Sequence, residues 1–503
     1  MTHDFEGLLA EADDRRLIDL VHPPDWTNPK PPRRYDLLVV GGGTAGLVSA
    51  IGGAGLGAKV ALCERALLGG DRLVYGCVPS KALLRSAHLA HEVQEAAGFG
   101  VESGDVEVDF AAVLERVRCL RADIAPRDAA TRAREARVDV HLGEARFVAH
   151  DAVECGGQRL RFRRAVIASG GRTRIPAIPG LEDVGYLTNA TVFGLTRAPR
   201  RLAVIGGGPV GCELAQGMAR LGLEVTLFNE GNRLLPRDDP EASDVLARAL
   251  SSELTLHLGT QVTAVERSAG GKLVHAERLG ELLSVEVDEI LLATGRIPAL
   301  ENLGLEAAGV TVEGGHPVVD DTLRTSNHRV FVAGDAAGLW AFTHAADAMA
   351  RLVLQNALFL GRKRVSALHV PWCTYTEPEV AHVGLGAEEA YGAGGRVLTL
   401  TTEMSANDRA IVDEQTEGFA RIHADARSGK VLGATLVSRH AGESIGEAAL
   451  AVRLGLKMGA LADTIHPYPT QAEAWKTLGD LWNARRLTTG ARVALKTVLA
   501  IRR

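Results

Sequence analysis

The chain has 503 residues, 46% hydrophobic and 23% charged, which suits a globular protein of several domains and argues against disorder. Its formal net charge of −6 gives no basis for nucleic-acid binding. No apolar run reaches ~18 residues, so no membrane span is expected. The six cysteines (Cys63, Cys77, Cys119, Cys155, Cys212 and Cys373) show neither a secreted disulfide framework nor zinc spacing, and no metal site is expected. With an acidic N-terminus that lacks a signal-peptide profile, this cysteine usage points to the reducing cytoplasm.

Residues 1–33 form an extension. Leu8, Leu9, Leu17, Ile18 and Leu20 suit a short amphipathic helix, and Pro23, Pro24 and Pro29 break it. The expectation is a surface arm. From Tyr35 the pattern becomes strand, glycine turn, helix, at residues 36–64 and again at 201–229. Two such units imply two nucleotide-binding domains. Residues 105–137 read as helical, 141–167 and 262–292 as strands, and 317–337 as a further strand segment. Residues 367–503 have a different texture, with strands near 370–383, 396–401, 418–423 and 431–437 and helices near 443–454 and 471–483. The fold expected is α/β: two Rossmann-like nucleotide-binding domains plus a C-terminal α+β domain. The boundaries are 34–187 with 317–366, 188–316, and 367–503.

Leu37 to Val40 is a continuous apolar run, as a strand buried on both faces requires. Gly41, Gly43 and Gly46 follow as G-x-G-x-x-G. The first makes the turn, the second lets the backbone approach a pyrophosphate, and the third lets helix pack on strand. Glu64 closes the next strand, where an acid bonds a ribose hydroxyl. Gly206, Gly208 and Gly211 repeat the pattern. Asn229 stands at the position matching Glu64, with Glu230 beside it. That acid favours NADH, while Arg233 keeps NADPH open.

The segment Gly69-Gly70-Asp71-Arg72-Leu73-Val74-Tyr75-Gly76-Cys77-Val78-Pro79-Ser80-Lys81 resembles the redox-disulfide segment of the flavoprotein disulfide reductases, G-G-x-C-x-x-x-x-C-x-P-x-K. The resemblance covers nearly the whole chain beyond the extension and implies FAD at the first glycine loop and NAD(P)H at the second. Thr325 with Gly334-Asp335 resembles the second FAD motif, whose aspartate bonds the ribityl chain. Thr343-His344 resembles the segment near the flavin ring. The turns ending at Gly170 and Gly295 match the crossover motifs between domains. Tyr375 to Glu379 and Gly433-Ala434 resemble the interface domain, which implies a homodimer. Asn407-Asp408-Arg409 and His466-Pro467-Tyr468-Pro469-Thr470 resemble the mercuric-reductase-like branch.

Within this resemblance Cys77 is the flavin-side cysteine, and Arg72 stands where the interchange cysteine belongs. Cys63 sits in a buried strand and does not replace it. One sulfur stores no electron pair in an S–S bond. Cys77 sits just before a predicted helix, whose positive end favours a thiolate. It either cycles alone through sulfenic acid or a mixed disulfide, or is retained by packing under the flavin. Lys81 and Glu213 match positions that pair beside the flavin ring; without that context they are two helix charges. Tyr468 occupies the place of the histidine base common in the family, and Glu473 keeps its glutamate. His466 lies two residues before Tyr468 and is either a substitute base or a structural histidine. Mercuric ion reduction is disfavoured because it needs several soft thiolates.

The resemblance implies an FAD-dependent NAD(P)H oxidoreductase passing electrons to a small non-disulfide acceptor: a quinone, dye, metal ion or oxygen. One alternative is single-thiol reduction of a peroxide or a low-molecular-weight disulfide at Cys77. Another is a flavin-binding dimer with little turnover.

Overall fold

The computed structural model describes residues 11–359, 361–392 and 396–503. The chain falls into two compact units. The larger contains residues through 206, 217–228 and 260–368; the smaller contains 207–216, 229–259 and 369–503.

The larger unit is built on a seven-stranded sheet. Its parallel part runs, side by side, through Val138–Leu142, Val60–Glu64, Tyr35–Val40, Gln158–Ile167 and Val330–Val332. Ala145–Ala149 and Ala152–Cys155 extend it as antiparallel strands. Leu37, Leu38 and Val39 are fully buried. Each contributes roughly 1.5–3 kcal/mol of apolar burial. The strand order reverses beside Tyr35–Val40, and the glycine loop sits at the carboxyl end of that strand. Such a switch point opens a crevice for a ligand. A second parallel set, Glu224–Asn229, Arg201–Ile205 and Glu289–Leu292, has the same construction. An antiparallel meander, Gln261–Ser268, Gly271–Arg278 and Glu281–Val287, joins its strands.

The smaller unit contains a five-stranded antiparallel sheet. Its order is Trp372–Thr374, Glu379–Gly384, Val431–Ser438, Phe419–Asp425, Val397–Glu403. The helices Ala441–Leu454 and Glu473–Arg486 bring Ile445, Ala448, Trp475 and Leu478 to a core shared with Ile422, Ala434 and Leu436.

The N-terminal extension, over its described residues 11–33, is not a surface arm. Its helix, Ala12–Val21, buries Asp14, Leu17 and Val21, a spacing that falls on one helical face. That face packs on the helix Phe110–Ile124. Asp14 and Arg121 form a buried ion pair at 2.8 Å. Beyond the helix, Trp26 Nε1 donates to the Val140 carbonyl at 3.0 Å. Asn28 both accepts from the Leu142 N–H and donates to its carbonyl. The extension thus closes the edge of the sheet at Val138–Leu142, and that hydrogen bonding fixes it. Leu8 and Leu9 lie outside the described residues.

Arg121 also donates to the Val74 carbonyl at 3.0 Å, at the end of the short helix Gly70–Val74. Burial lowers the Arg121 pKa and raises that of Asp14, each against the pull of the other. Asp14→Ala therefore strands a buried guanidinium, and about 3–5 kcal/mol of stability should be lost. Urea unfolding of both proteins checks this; a loss under about 0.5 kcal/mol would contradict the packing described.

Candidate functional site

In the larger unit, the first glycine loop is shaped by contacts that exclude a side chain. Gly41 has φ 102°, and a Cβ there would lie 2.3 Å from the Ala168 carbonyl oxygen. A Cβ on Gly46 would lie 1.8 Å from the Gly41 carbonyl oxygen. Gly43 faces Gly70, the two backbones meeting without side chains between them, and the Gly69 N–H donates to the Gly42 carbonyl at 2.9 Å. The redox segment is therefore seated against the phosphate loop.

Glu64 is buried. Its Oε2 accepts from the Gly42 N–H at 2.5 Å and its Oε1 from the Ala66 N–H at 2.7 Å. Burial raises its pKa, and those two donors oppose the shift. A pocket opens here, lined by Val40, Gly41, Glu64, Ser169, Ala299 and Leu303 among others. Ser169 Oγ is buried on its wall with no protein partner. A carboxylate, an orphaned hydroxyl and a glycine loop at a switch point match the adenosine and pyrophosphate half of FAD. These residues fit the group.

Asp335 follows the strand Val330–Val332 and accepts from Arg296 Nε at 3.1 Å. Burial raises its pKa and Arg296 opposes the rise. Arg296 also reaches Asp71 at 3.5 Å and donates to the Gly171 carbonyl at 2.8 Å. Asn189 donates to Asp71 at 3.0 Å. Sequence reasoning missed Arg296 and Asn189. Arg296 directly follows the crossover glycine Gly295, which was the available signal. Gly170 and Gly295 both have positive φ, and their turns lead into paired strands, Gly171–Thr173 with Arg296–Pro298. Thr325 bonds the Asn327 and Val330 carbonyls and shapes the turn before the strand.

Cys77 is exposed and is the first residue of the helix Cys77–Gln94. Its Sγ lies 3.2 Å from Thr343 Oγ1. Two segments singled out separately in the sequence thus meet. No disulfide joins any of the six cysteines. Arg72 forms an ion pair with Asp128, whose side chain is 9% exposed. Burial raises the Asp128 pKa and Arg72 opposes it. The Arg72 charge is directed to this carboxylate. Nothing in the sequence pattern of residues 125–128 marked Asp128. Lys81 lies on the Cys77–Gln94 helix.

In the smaller unit, the Gly207 N–H donates to Asn229 Oδ1 at 3.0 Å. The sequence separation, 22 residues, is the one between Gly42 and Glu64. Asn229 performs the Glu64 bracing with a neutral amide, and its Nδ2 is taken up by the Gly231 and Arg233 carbonyls. Glu230 beside it is exposed. Gly208, Gly211 and Glu213 lie at the start of the helix Pro209–Arg220. In the larger unit, Gly206 has a positive φ of 116°, near the 102° of Gly41. Glu213 Oε1 accepts from the Tyr375 N–H at 3.0 Å.

Tyr468 is exposed, and its hydroxyl donates to Asp408 at 2.7 Å. That bond raises the Tyr468 pKa. Asn407 Nδ2 donates to the Thr470 carbonyl at 3.1 Å, so the two C-terminal motifs form one cluster. Glu473 Oε2 accepts from the Thr470 N–H at 3.4 Å. His466 contacts Glu447 at 2.9 Å, its side chain 5% exposed.

Burial drives the Glu379 carboxyl from 4.5 up to about 7, and the Gly442 N–H at 2.8 Å opposes the shift. Between those values the native state holds a proton that the unfolded chain has released. Stability therefore falls as pH rises from about 4.5 to about 7, by about 3 kcal/mol. Glu379→Gln should flatten that slope in denaturant unfolding across the window; an unchanged slope would assign the dependence elsewhere.

The profile described as pyridine nucleotide-disulphide oxidoreductase matches residues 35–350, and the dimerisation-domain profile of the same family matches 370–478. Mercuric reductase of Bacillus cereus is 37% identical over 444 residues, covering 88% of this chain and 70% of the relative. Dihydrolipoyl dehydrogenase of Thermus scotoductus is 37% identical over 449 residues, covering 88% and 96%. The solved structure of RclA from Escherichia coli, an HOCl-induced flavoprotein disulfide reductase, aligns with a TM-score of 0.78 at 26% identity, covering 89% and 100%. The chain belongs to the pyridine nucleotide-disulphide oxidoreductases, enzymes that bind FAD and use NAD(P)H.

Proposed function

We propose that this enzyme passes electrons from NAD(P)H to an acceptor that is not a disulfide: a quinone, a dye, a metal ion or oxygen. The observation that supports this is the single thiol at the redox segment. Arg72, where the sequence resemblance puts the interchange cysteine, is paired with Asp128. Bound FAD supplies hydride acceptance and onward electron transfer.

The chain's own residues hold and orient the two cofactors. Gly41, Gly43, Gly46 and Glu64 cradle the adenosine and pyrophosphate. Asp335 takes the ribityl chain and Arg296 steadies Asp335. Gly206, Gly208, Gly211, Asn229 and Glu230 receive the nicotinamide coenzyme, with NADH preferred because the exposed Glu230 disfavours a 2′-phosphate. The proposed domains are 34–187 with 317–366 for FAD, 188–316 for NAD(P) and 367–503 for the homodimer interface. Lys81 and Glu213 are proposed to tune the flavin, and Tyr468 with Glu473 to handle protons at the acceptor side.

RclA has been solved as a Cu(II) complex, also in a cysteine-to-serine variant, which puts Cu(II) in the acceptor panel. Mercuric ion is a poorer candidate, because one soft thiolate gives no relay. Cys77→Ser should leave NADH-dependent quinone reduction within about twofold, under ~0.4 kcal/mol of barrier. Loss of turnover would favour the single-thiol reading.

A further inference from the structure

The helix Thr489–Ile501 has 13 residues and none is buried. Thr488 Oγ1 caps it by accepting from the Ala491 N–H. Val493, Leu495, Val498, Leu499 and Ile501 are 46% to 80% exposed. Ala491, Leu495, Val498 and Leu499 recur at the spacing of one helical face. Arg492 and Lys496 border that face, and Arg502 and Arg503 follow the last turn. From 481 to 503 the chain carries six basic residues and no acidic one, although the whole protein has a net charge of −6. The segment also lies beyond the dimerisation-domain match, which ends at 478.

We propose that this helix docks the enzyme on an anionic lipid surface. The helix is about 20 Å long, short of the ~30 Å hydrocarbon core, so it lies in the interface plane and does not span. Its apolar arc enters the headgroup and acyl boundary. The flanking Arg and Lys side chains extend to the phosphates while their alkyl stems stay in the apolar layer. A two-fold contact between copies through this face would bring the basic stripe against its own. Anionic lipid supplies the opposite charge. The inference goes beyond the proposed acceptor and does not depend on it; docking reads the helix, whereas quinone turnover reads the flavin site.

The test is sedimentation of the flavin-loaded full chain with vesicles of phosphatidylcholine alone or mixed with phosphatidylglycerol. Binding is expected only to the mixed vesicles and should fall with salt. Each basic side chain at the surface is worth roughly fivefold in partitioning, so the pair Arg492→Glu and Lys496→Glu should weaken binding more than tenfold. Leu495→Glu with Val498→Glu should abolish it. Both pairs should keep wild-type NADH–dye activity, which shows an intact fold. No binding to mixed vesicles, or wild-type binding by both variants, overturns the proposal. So does a fall in the solution mass of the Leu495→Glu, Val498→Glu protein without vesicle binding by the wild type, since the face would then cover a second copy.

Discussion

Gly46→Ala should be purified with less than about a tenth of the wild-type flavin. The added Cβ would sit 1.8 Å from the Gly41 carbonyl oxygen, and neither atom is on a flexible side chain. Relief requires the helix Thr44–Gly55 to move off its strand or the glycine turn to open. Either change displaces the N–H groups that face the pyrophosphate. A tenfold loss of affinity is only ~1.4 kcal/mol, and overpacking of this kind typically costs ~1–3 kcal/mol or more. The ratio of flavin to protein absorbance gives the result, with circular dichroism as the check that the sheet has formed. Full flavin content would remove the loop from the cofactor site.

Arg72→Cys should be the most destabilising change in the redox segment, with a loss of about 3–5 kcal/mol near neutral pH, because it leaves Asp128 buried without its cation. The dependence on pH has a definite sign. Burial already raises the Asp128 pKa against the pull of Arg72, so without Arg72 the carboxyl takes up a proton more readily. The loss should therefore shrink as pH falls and grow as Asp128 ionises. Adding Asp128→Asn should recover part of it. If the first redox cysteine belongs at position 72, the double variant should also gain NADH-linked lipoamide reduction that the parent lacks. Thermal unfolding reads the first effect and turnover the second. A single variant as stable as the parent would mean that the Arg72–Asp128 pair carries little.

The parts of the site legible in the sequence are those whose chemistry is local. The apolar run Leu37–Val40, the glycines after it and Glu64 at the end of the next strand imply one another, because strand, turn and helix must be in register for any of them to work. Asn229 was legible for the same reason. The partners were not. Asp128, Asn189 and Arg296 reach the redox segment from 56, 118 and 225 residues away, and no periodicity announces such contacts. The extension failed differently. A ten-residue helix with one apolar face reads alike whether that face is covered or bare. Asp14 also looks like a solvated charge until Arg121 is seen beneath it.

Anaerobic reductive titration of the flavin-loaded protein tests the absence of a dithiol most directly. A disulfide is a two-electron store, so a family member that has one takes up about two reducing equivalents of two electrons per flavin, and a protein without one takes about one. The uptake expected here is about one, unchanged in Cys77→Ser. About two equivalents per flavin, falling to one in Cys77→Ser, would mean that Cys77 has found a redox partner and that electrons do pass through sulfur.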